Sequence, residues 1–533
     1  MRLRFLFLIM VIQLNSSFGQ SWFKTYNDNF VKFTNKIIEN YDRGYVISGH
    51  CFALPGYHYY GYILKLDING NKLWTKYCGD ENSWSAFGGC RLLLDGGSIY
   101  SGNTYEYFGK MNPLVVKLNS CGEKEWCKIY SSSLPYVGAD QIESIPGGGY
   151  ILSLSSWLNQ NDIWLFRLDS IGDIIWAQQF VSDSAIFWDP FPRSLIRTSD
   201  SCFLLNGEAY SPDSLHPGYL LLKIFSVKCD LNGSAIFQEP WGNNDGLVSD
   251  YDFSNLEDKN HTYFVSGRLA RAEPPYGDSP TIFHITSTGK KDYFKALISS
   301  SLTGGATTIN RFQDSSLVMS AGWSYGSGTD TFGIIKTNPV GDVLKTKLIV
   351  ANNPDASLWA ATVTNDNKFI ATGELNSMTT IVVKLNSELE YDSIYSQSFT
   401  YDSLCPYPIV SDTIPLNDCG VVTSVFDPVK DIEKTYLKVF PNPSSSKIYI
   451  EMPDFLIRKS KGCGFSANTF YYTWDKAKIV IYDLNGTLIY SENLLQKEKE
   501  ITLDVNNLHD GMYVVHLLYL NDVVAQAKFL VQK

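Results

Sequence analysis

"YILKLDINGNKLWTKY", residues 62–77, has the form of a complete β-hairpin. Tyr62, Leu64 and Leu66 alternate along one strand, Asn69-Gly70 supplies the turn, and Trp74 and Tyr77 lie on the return strand. An Asn-Gly pair between alternating strands predicts a type I′ turn. The hairpin returns as "LVVKLNSCGEKEWCKIY" at 114–130 and as "IWLFRLDSIGDIIWAQQF" at 163–180. Trp22, Trp74, Trp126 and Trp176 are spaced 52, 52 and 50 residues apart. A period near 50 is the mark of a repeat architecture.

A second feature recurs between the hairpins, a strand led by glycine or a turn: "DRGYVISG" from 42, "DGGSIYSG" from 95, "GGGYILSL" from 147 and "DSCFLLNG" from 200. Weaker copies continue to "DCGVVTSV" at 418. With the short apolar strand before each ("NKIIE" at 35, "CRLLL" at 90), every repeat holds four strands, here lettered A to D in chain order. Four antiparallel strands per repeat predict a β-propeller over residues 20–426, since closing the ring removes the open edges of a solenoid. "SWFKTY", from residue 21, reads as a D strand with no A, B or C before it. "YPIVSDTI" at 407 and "CGVVTSV" at 419 read as an A and a B strand of the same closing blade, which gives about eight blades, with seven as the alternative.

Composition fits an all-β fold, with 33 Tyr, 30 Phe and 12 Trp beside 40 Gly in 533 residues. A net charge of −11 is wrong for a nucleic-acid partner, which would need basic surface against phosphate. The first 19 residues, "MRLRFLFLIMVIQLNSSFG", carry two arginines, an apolar run too short to span a bilayer and a small-residue end. That pattern is expected of a secretory signal peptide and gives no transmembrane anchor. Ten cysteines in an exported chain predict disulfides, with Cys121 near Cys127 and Cys405 near Cys419 as the local pairs. No cysteine or histidine spacing fits a metal motif, and nothing calls for a cofactor. Asp67, Asn69 and Asn71 alternate like ligands of a calcium loop but lack its downstream Glu. The recurrent tryptophans are expected to pack blade against blade.

From 436 the 52-residue period stops, after a charged linker over 427–435. Alternating strands around Asn485-Gly486 and Gly511 predict a small β-sandwich over 436–533. Its signatures are Val439-Phe440-Pro441-Asn442-Pro443, the run Ile481 to Gly486 that includes Asp483, Gly511-Met512-Tyr513, and Lys528 to Val531. On these residues the segment resembles the type A C-terminal sorting domain of the type IX secretion system of Bacteroidetes. The resemblance implies an address: export to the periplasm, then passage through the type IX machinery to the cell surface or beyond. A long insertion from residue 454 departs from that family's usual first loop.

Activity is therefore expected in the propeller. The segment holds no nucleophile elbow, Walker loop or dinucleotide fingerprint, so no catalytic residue is assigned. A surface binding or adhesion module, with a glycan or protein ligand, is preferred to a polysaccharide-cleaving enzyme. Strand direction places the B–C and D–A loops on one face, and these loops are the long and aromatic ones. Tyr57, Tyr59, Tyr60, Trp84 and Trp188 are the candidate ligand-binding residues there. A resemblance to the sialidase Asp-box is incomplete, because Asp67 precedes Trp74 by seven residues.

Overall fold

The computed structural model describes residues 22–422 and 435–533, apart from 28–29, 54–57, 80–82, 107–110, 132–136, 157–162, 181–187, 213–219, 242–253, 271–277, 299–302, 325–329, 351–355, 376–377, 453–456, 460–468, 472–476, 484–486, 495–499 and 520–521. The repeats form one compact unit and the residues from 426 onward another. The expected signal peptide, over 1–19, lies outside the described residues.

The first unit is a β-propeller. Its first sheet sets Phe30–Glu39, Tyr45–Ala53, His58–Leu66 and Lys72–Cys78 side by side as strands A, B, C and D. The same antiparallel order recurs in sheets whose A strands start at Ser83, Val137, Trp188, Asn255 and Thr303. In the last of these the A strand is broken, and its two pieces, Thr303–Ala306 and Asn310–Arg311, both pair with Leu317–Ser324. One more sheet closes the ring: Ala356–Val363, Phe369–Leu375 and Thr379–Leu385 are joined by Phe23–Asn27 as the D strand. The early D strand thus completes a blade, as its sequence predicts, but the A, B and C strands of that blade come from 356–385 and not from the pair at 407 and 419.

Among the described residues seven such sheets are present, the lower of the two expected counts. The pair read as strands A and B of an eighth blade goes elsewhere. Asp412–Ile414 adds in parallel to the outer strand Lys72–Cys78, and Gly420–Val422 adds in parallel to Lys124–Tyr130. A D strand at a blade's rim leaves its outer hydrogen-bonding edge unpaired, and these short strands cover two such edges.

The hairpin turn also differs from its prediction. A type I′ turn needs positive φ at both central residues, yet Asn69 keeps a negative φ and only Gly70 crosses over, at +76°. The Gly70 N–H donates to Asp67 O at 3.0 Å, which makes a type I turn followed by a left-handed glycine. Asp67 explains the rest: its Oδ1 accepts the N–H groups of Asn69 (2.8 Å) and Asn71 (2.7 Å), and its Oδ2 accepts the Asn71 side-chain amide. The alternating oxygens are turn chemistry. Asn119, Asp169, Asp230, Asn338 and Asn386 do the same in later repeats.

The recurrent tryptophans lie between blades. The ring of Trp22 covers the turn of the first sheet at Gly70, Trp126 covers Gly172 in the third, and Trp176 covers Gly233 in the fourth. Phe237 stands in the same place over Gly289. Tyr26 and Tyr130 fasten the same turns by donating to Gly70 O (2.6 Å) and Gly172 O (2.8 Å). Trp74 instead donates its indole N–H to Asp402, on the segment that follows the closing blade.

That segment, 386–422, is a strap across the turn side of the first two blades. Tyr395 accepts and donates through Asn69, Tyr401 takes the Ile68 N–H, and Asp402 lies beside the buried Lys65–Asp42 ion pair. Ile414 and Leu416 enter the apolar cluster between the first and second sheets. Four predicted cysteines do pair, but not within their own hairpins. Cys121 bonds Cys405 and Cys127 bonds Cys419, with Cα atoms 5.0 and 4.8 Å apart. Sequence proximity suggested the local pairs; the strap's path makes the distant ones.

The second unit sets a five-stranded sheet (Thr435–Tyr436, Asp522–Val531, Gly511–Tyr519, Ala477–Asp483, Leu488–Leu494) and a three-stranded sheet (Lys438–Phe440, Lys447–Glu451, Glu500–Asp504) around one core. Ile448, Ile450, Ile479, Ile481, Val515 and Phe529 fill it. Within the insertion, Ile457–Lys459 and Thr469–Tyr471 form a hairpin of their own and leave the pairing of the main sheets intact.

Candidate functional site

Two places on the propeller bring chemistry-bearing side chains together. The first is the aromatic face expected from the sequence. Phe52 and Tyr59 face each other across strands B and C of the first sheet, with ring centroids 5.0 Å apart. Tyr59 reaches Trp84 of the second sheet at 5.4 Å, and Trp84 reaches Tyr105 at 6.4 Å. His58 meets the same indole edge-on, and Phe33 stacks on His50 at 4.9 Å. Burial pushes His50 down to about 4, so it is a neutral ring at physiological pH. The result is a half-buried ledge of aromatic rings spanning two blades.

Successive strand residues point to opposite sides of a sheet, which separates Tyr59 from Tyr60. Tyr60 packs instead with Tyr77 against the core between the closing and first sheets. Tyr57 lies outside the described residues. Trp188 opens the fourth sheet's A strand, with its side chain outside the description. Trp84, expected on a loop before strand A, is in the strand itself, facing Tyr105 in register.

The second place was not anticipated. Strand A is innermost in each blade, and its pairing with strand B slips at the same depth in sheet after sheet: at Thr34/Lys36, Phe87/Gly89, Ala139/Ile142 and Leu358/Ala360. A β-bulge turns the extra residue out of the ladder, here toward the propeller axis. The bulges and the broken A strand of the sixth sheet line a cavity of about 210 Å³ with residues from every blade, most of them polar.

Hydrogen bonds from blade to blade fix this inner ring. Asn35 donates to Phe87 O at 2.6 Å, Asn255 to Ser194 O at 3.3 Å and Thr307 to Leu358 O at 2.9 Å. Arg91 pairs with Glu143 and also donates to Leu195 O, which ties three sheets together. Glu374 closes the seam between the last and first sheets by accepting from Thr34 Oγ1 (2.9 Å) and Ser357 Oγ (2.6 Å). Arg193 lies on Glu208, its Nε 3.0 Å from Oε1. Burial raises the carboxyls of Asp140 and Glu374 to about 7, opposed by hydrogen bonds from Ser155 to Asp140 and from Ser357 to Glu374. Only the polar residue interrupting each apolar A strand, such as Asn35 or Asp140, hinted at this ring in the sequence.

Among the described residues, Asp200, Glu257 and His261 also converge closely enough to hold a metal ion. Their oxygens are already engaged. Lys228 caps Asp200, and Ser199 donates through both its N–H and its hydroxyl to Glu257.

In the C-terminal unit the signature residues serve the sandwich. Asn442, between Pro441 and Pro443, donates to Lys528 O at 3.1 Å and accepts the Leu530 N–H at 2.8 Å, which fixes the first strand's approach to the last. Asp483 accepts the Thr487 N–H at 2.8 Å across a turn whose Gly486 lies outside the described residues. Gly511 opens the strand in which Tyr513 stacks on Phe529 at 5.5 Å and donates to His509 O.

No curated protein matches the chain. Among solved structures it is similar to an ulvan lyase, a polysaccharide lyase, at 8% identity and TM-score 0.45, over 67% of this chain and 95% of that one. The β-propeller domain of the Trilobed protease from Pyrococcus furiosus aligns at 10% identity and TM-score 0.39, over 70% of this chain and 100% of its own. An α-L-arabinofuranosidase of Fusarium graminearum aligns at 12% identity and TM-score 0.38, over 59% and 97%. No helix among the described residues is long and apolar enough to cross a membrane. Residues 438–532 match the secretion system C-terminal sorting domain, so this β-propeller chain carries the type IX signal that directs export to the cell surface or outside.

Proposed function

We propose that the propeller is an extracellular binding module and that the ledge around Tyr59 and Trp84 takes carbohydrate. The observation that carries this reading is the packing of Phe52, Tyr59, Trp84 and Tyr105 into one surface across two blades. Aromatic rings held by a rigid scaffold offer flat apolar faces with polar tips, which suit the C–H face of a sugar ring. Export to the cell surface or outside, directed by the sorting domain, supports a role in contact with extracellular glycans.

A glycan array probed with the purified chain tests the reading. Replacing Tyr59 and Trp84 together with Ala is expected to weaken the strongest hit by on the order of 2 kcal/mol or more, about thirtyfold, because interface aromatics carry binding energy out of proportion to their number. Unchanged affinity in the folded double variant would remove the ledge from consideration. The competing reading, a polysaccharide-cleaving enzyme, draws on the Asp140 and Glu374 carboxyls near pH 7. Release of oligosaccharides by the purified chain, lost in Asp140→Asn, would favour it.

A further inference from the structure

The polar cavity on the propeller axis is separate from the ledge, and its lining is specific enough to name a ligand class. We propose that it binds one sugar-sized polyol carrying a carboxylate, a uronate, with Lys36 and Arg193 toward the carboxylate and Trp359 against the ring. The cavity's roughly 210 Å³ is below the ~300 Å³ at which pockets for drug-sized ligands begin, so it admits one sugar residue and not a chain. Cations reach it from two blades, Lys36 of the first sheet and Arg193 of the fourth. Trp359, turned out at the bulge between Leu358 and Ala360, supplies an aromatic wall. Asn35 and Gln141 add amide groups for sugar hydroxyls, and the Gln141 Oε1 has no partner among the described residues although the residue is only 8% exposed.

Asp140 makes the site responsive to pH. Its Oδ2 accepts from Ser155 at 3.0 Å, Arg193 approaches it from the neighbouring A strand with Glu208 behind, and Lys36 of the first sheet lines the same cavity. Burial holds this carboxyl protonated to about pH 7. A protonated Asp140 donates a hydrogen bond to an incoming carboxylate, whereas an ionised one repels it. The uronate itself, with an ordinary carboxyl pKa, stays ionised on both sides of that pH. Uptake of an anionic sugar therefore weakens as pH rises through about 7. A neutral sugar has no such dependence, and a cationic ligand has the reverse.

Calorimetric titration of the full chain with glucuronate, galacturonate, glucose and galactose at about pH 5.5 and 8.5 tests this. The expected result is uronate binding at the lower pH, roughly tenfold weaker at the higher, with neutral sugars inert at both. Asp140→Asn is expected to erase the pH difference, and Lys36→Gln to weaken uronates at least fivefold at both values while the melting temperature holds. Failure of both uronates to bind the folded chain overturns the proposal. So does equal binding of neutral sugars, tighter binding at high pH, or an unaltered pH profile in Asp140→Asn. None of these outcomes bears on the ledge, whose test uses Tyr59 and Trp84.

Discussion

Gly70 shows how much of this molecule depends on single backbone positions. At φ +76° it adopts a conformation that costs an L-residue about 1 kcal/mol or more. It also lies under Trp22: a Cβ there would come 2.8 Å from the indole Cη2 and 2.9 Å from Lys24 Cγ. Gly147, at φ +89°, shares the backbone requirement but has nothing within 4 Å of a Cβ. Gly70→Ala is therefore expected to cost about 2–3 kcal/mol in denaturant unfolding and Gly147→Ala only about 1 kcal/mol. Equal losses would mean that closure of Trp22 onto the turn contributes nothing. The same comparison separates what the sequence displays from what it hides. Asn69-Gly70 announced a turn, but the turn type followed from Asp67, whose carboxylate holds two N–H groups in a type I geometry.

At the scale of elements, the strap joins the closing seam to the second blade, and its two disulfides act as one fastening. Cys121–Cys405 closes a loop with a sequence separation of 284, and Cys127–Cys419 one of 292. Cross-links stabilise chiefly by shrinking the unfolded ensemble, and once either bond is present the other closes a loop of only about 20 residues. Cys405→Ser or Cys419→Ser alone is expected to cost about 2–3 kcal/mol, and the double variant more than the two single losses together. Thermal unfolding of the three variants decides this; strictly additive losses would show that the bonds act independently. The strap was legible as strands but not as a strap. "YPIVSDTI" has the alternation of an A strand, and nothing local says that its partner is the outer edge of a different blade.

At the scale of the whole molecule, the chain divides into a propeller unit and a unit that carries the sorting address. Deleting 438–532 is expected to leave the protein in the periplasm, because the segment matching the sorting domain is gone while the propeller's own strands remain. Cell fractionation followed by immunoblotting reads the outcome. Appearance of the truncated chain outside the cell at the normal level would deny 438–532 its sorting role. The sorting unit is recognisable because its signature residues make the sandwich's own bonds, as Asn442 does with Lys528 and Leu530. The ligand groups proposed for the propeller have no comparable local signature.

By itself the sequence determined the four-stranded repeat, the antiparallel hairpins, the closing of the ring by the N-terminal D strand and the C-terminal address. All of these rest on short-range patterns: alternation with period two, turn residues at fixed offsets, and aromatic rings at one position per repeat. Only the tertiary structure decided where the strap's two strands pair, the cysteine pairing and the axial cavity. Each depends on which distant segments become neighbours: a strap laid along two outer edges, cysteines nearly 300 residues apart, and inner-strand residues from every blade converging on one axis. A residue such as Asp140 acquires its raised pKa from that convergence, since it is the burial, and not the residue type, that holds its proton.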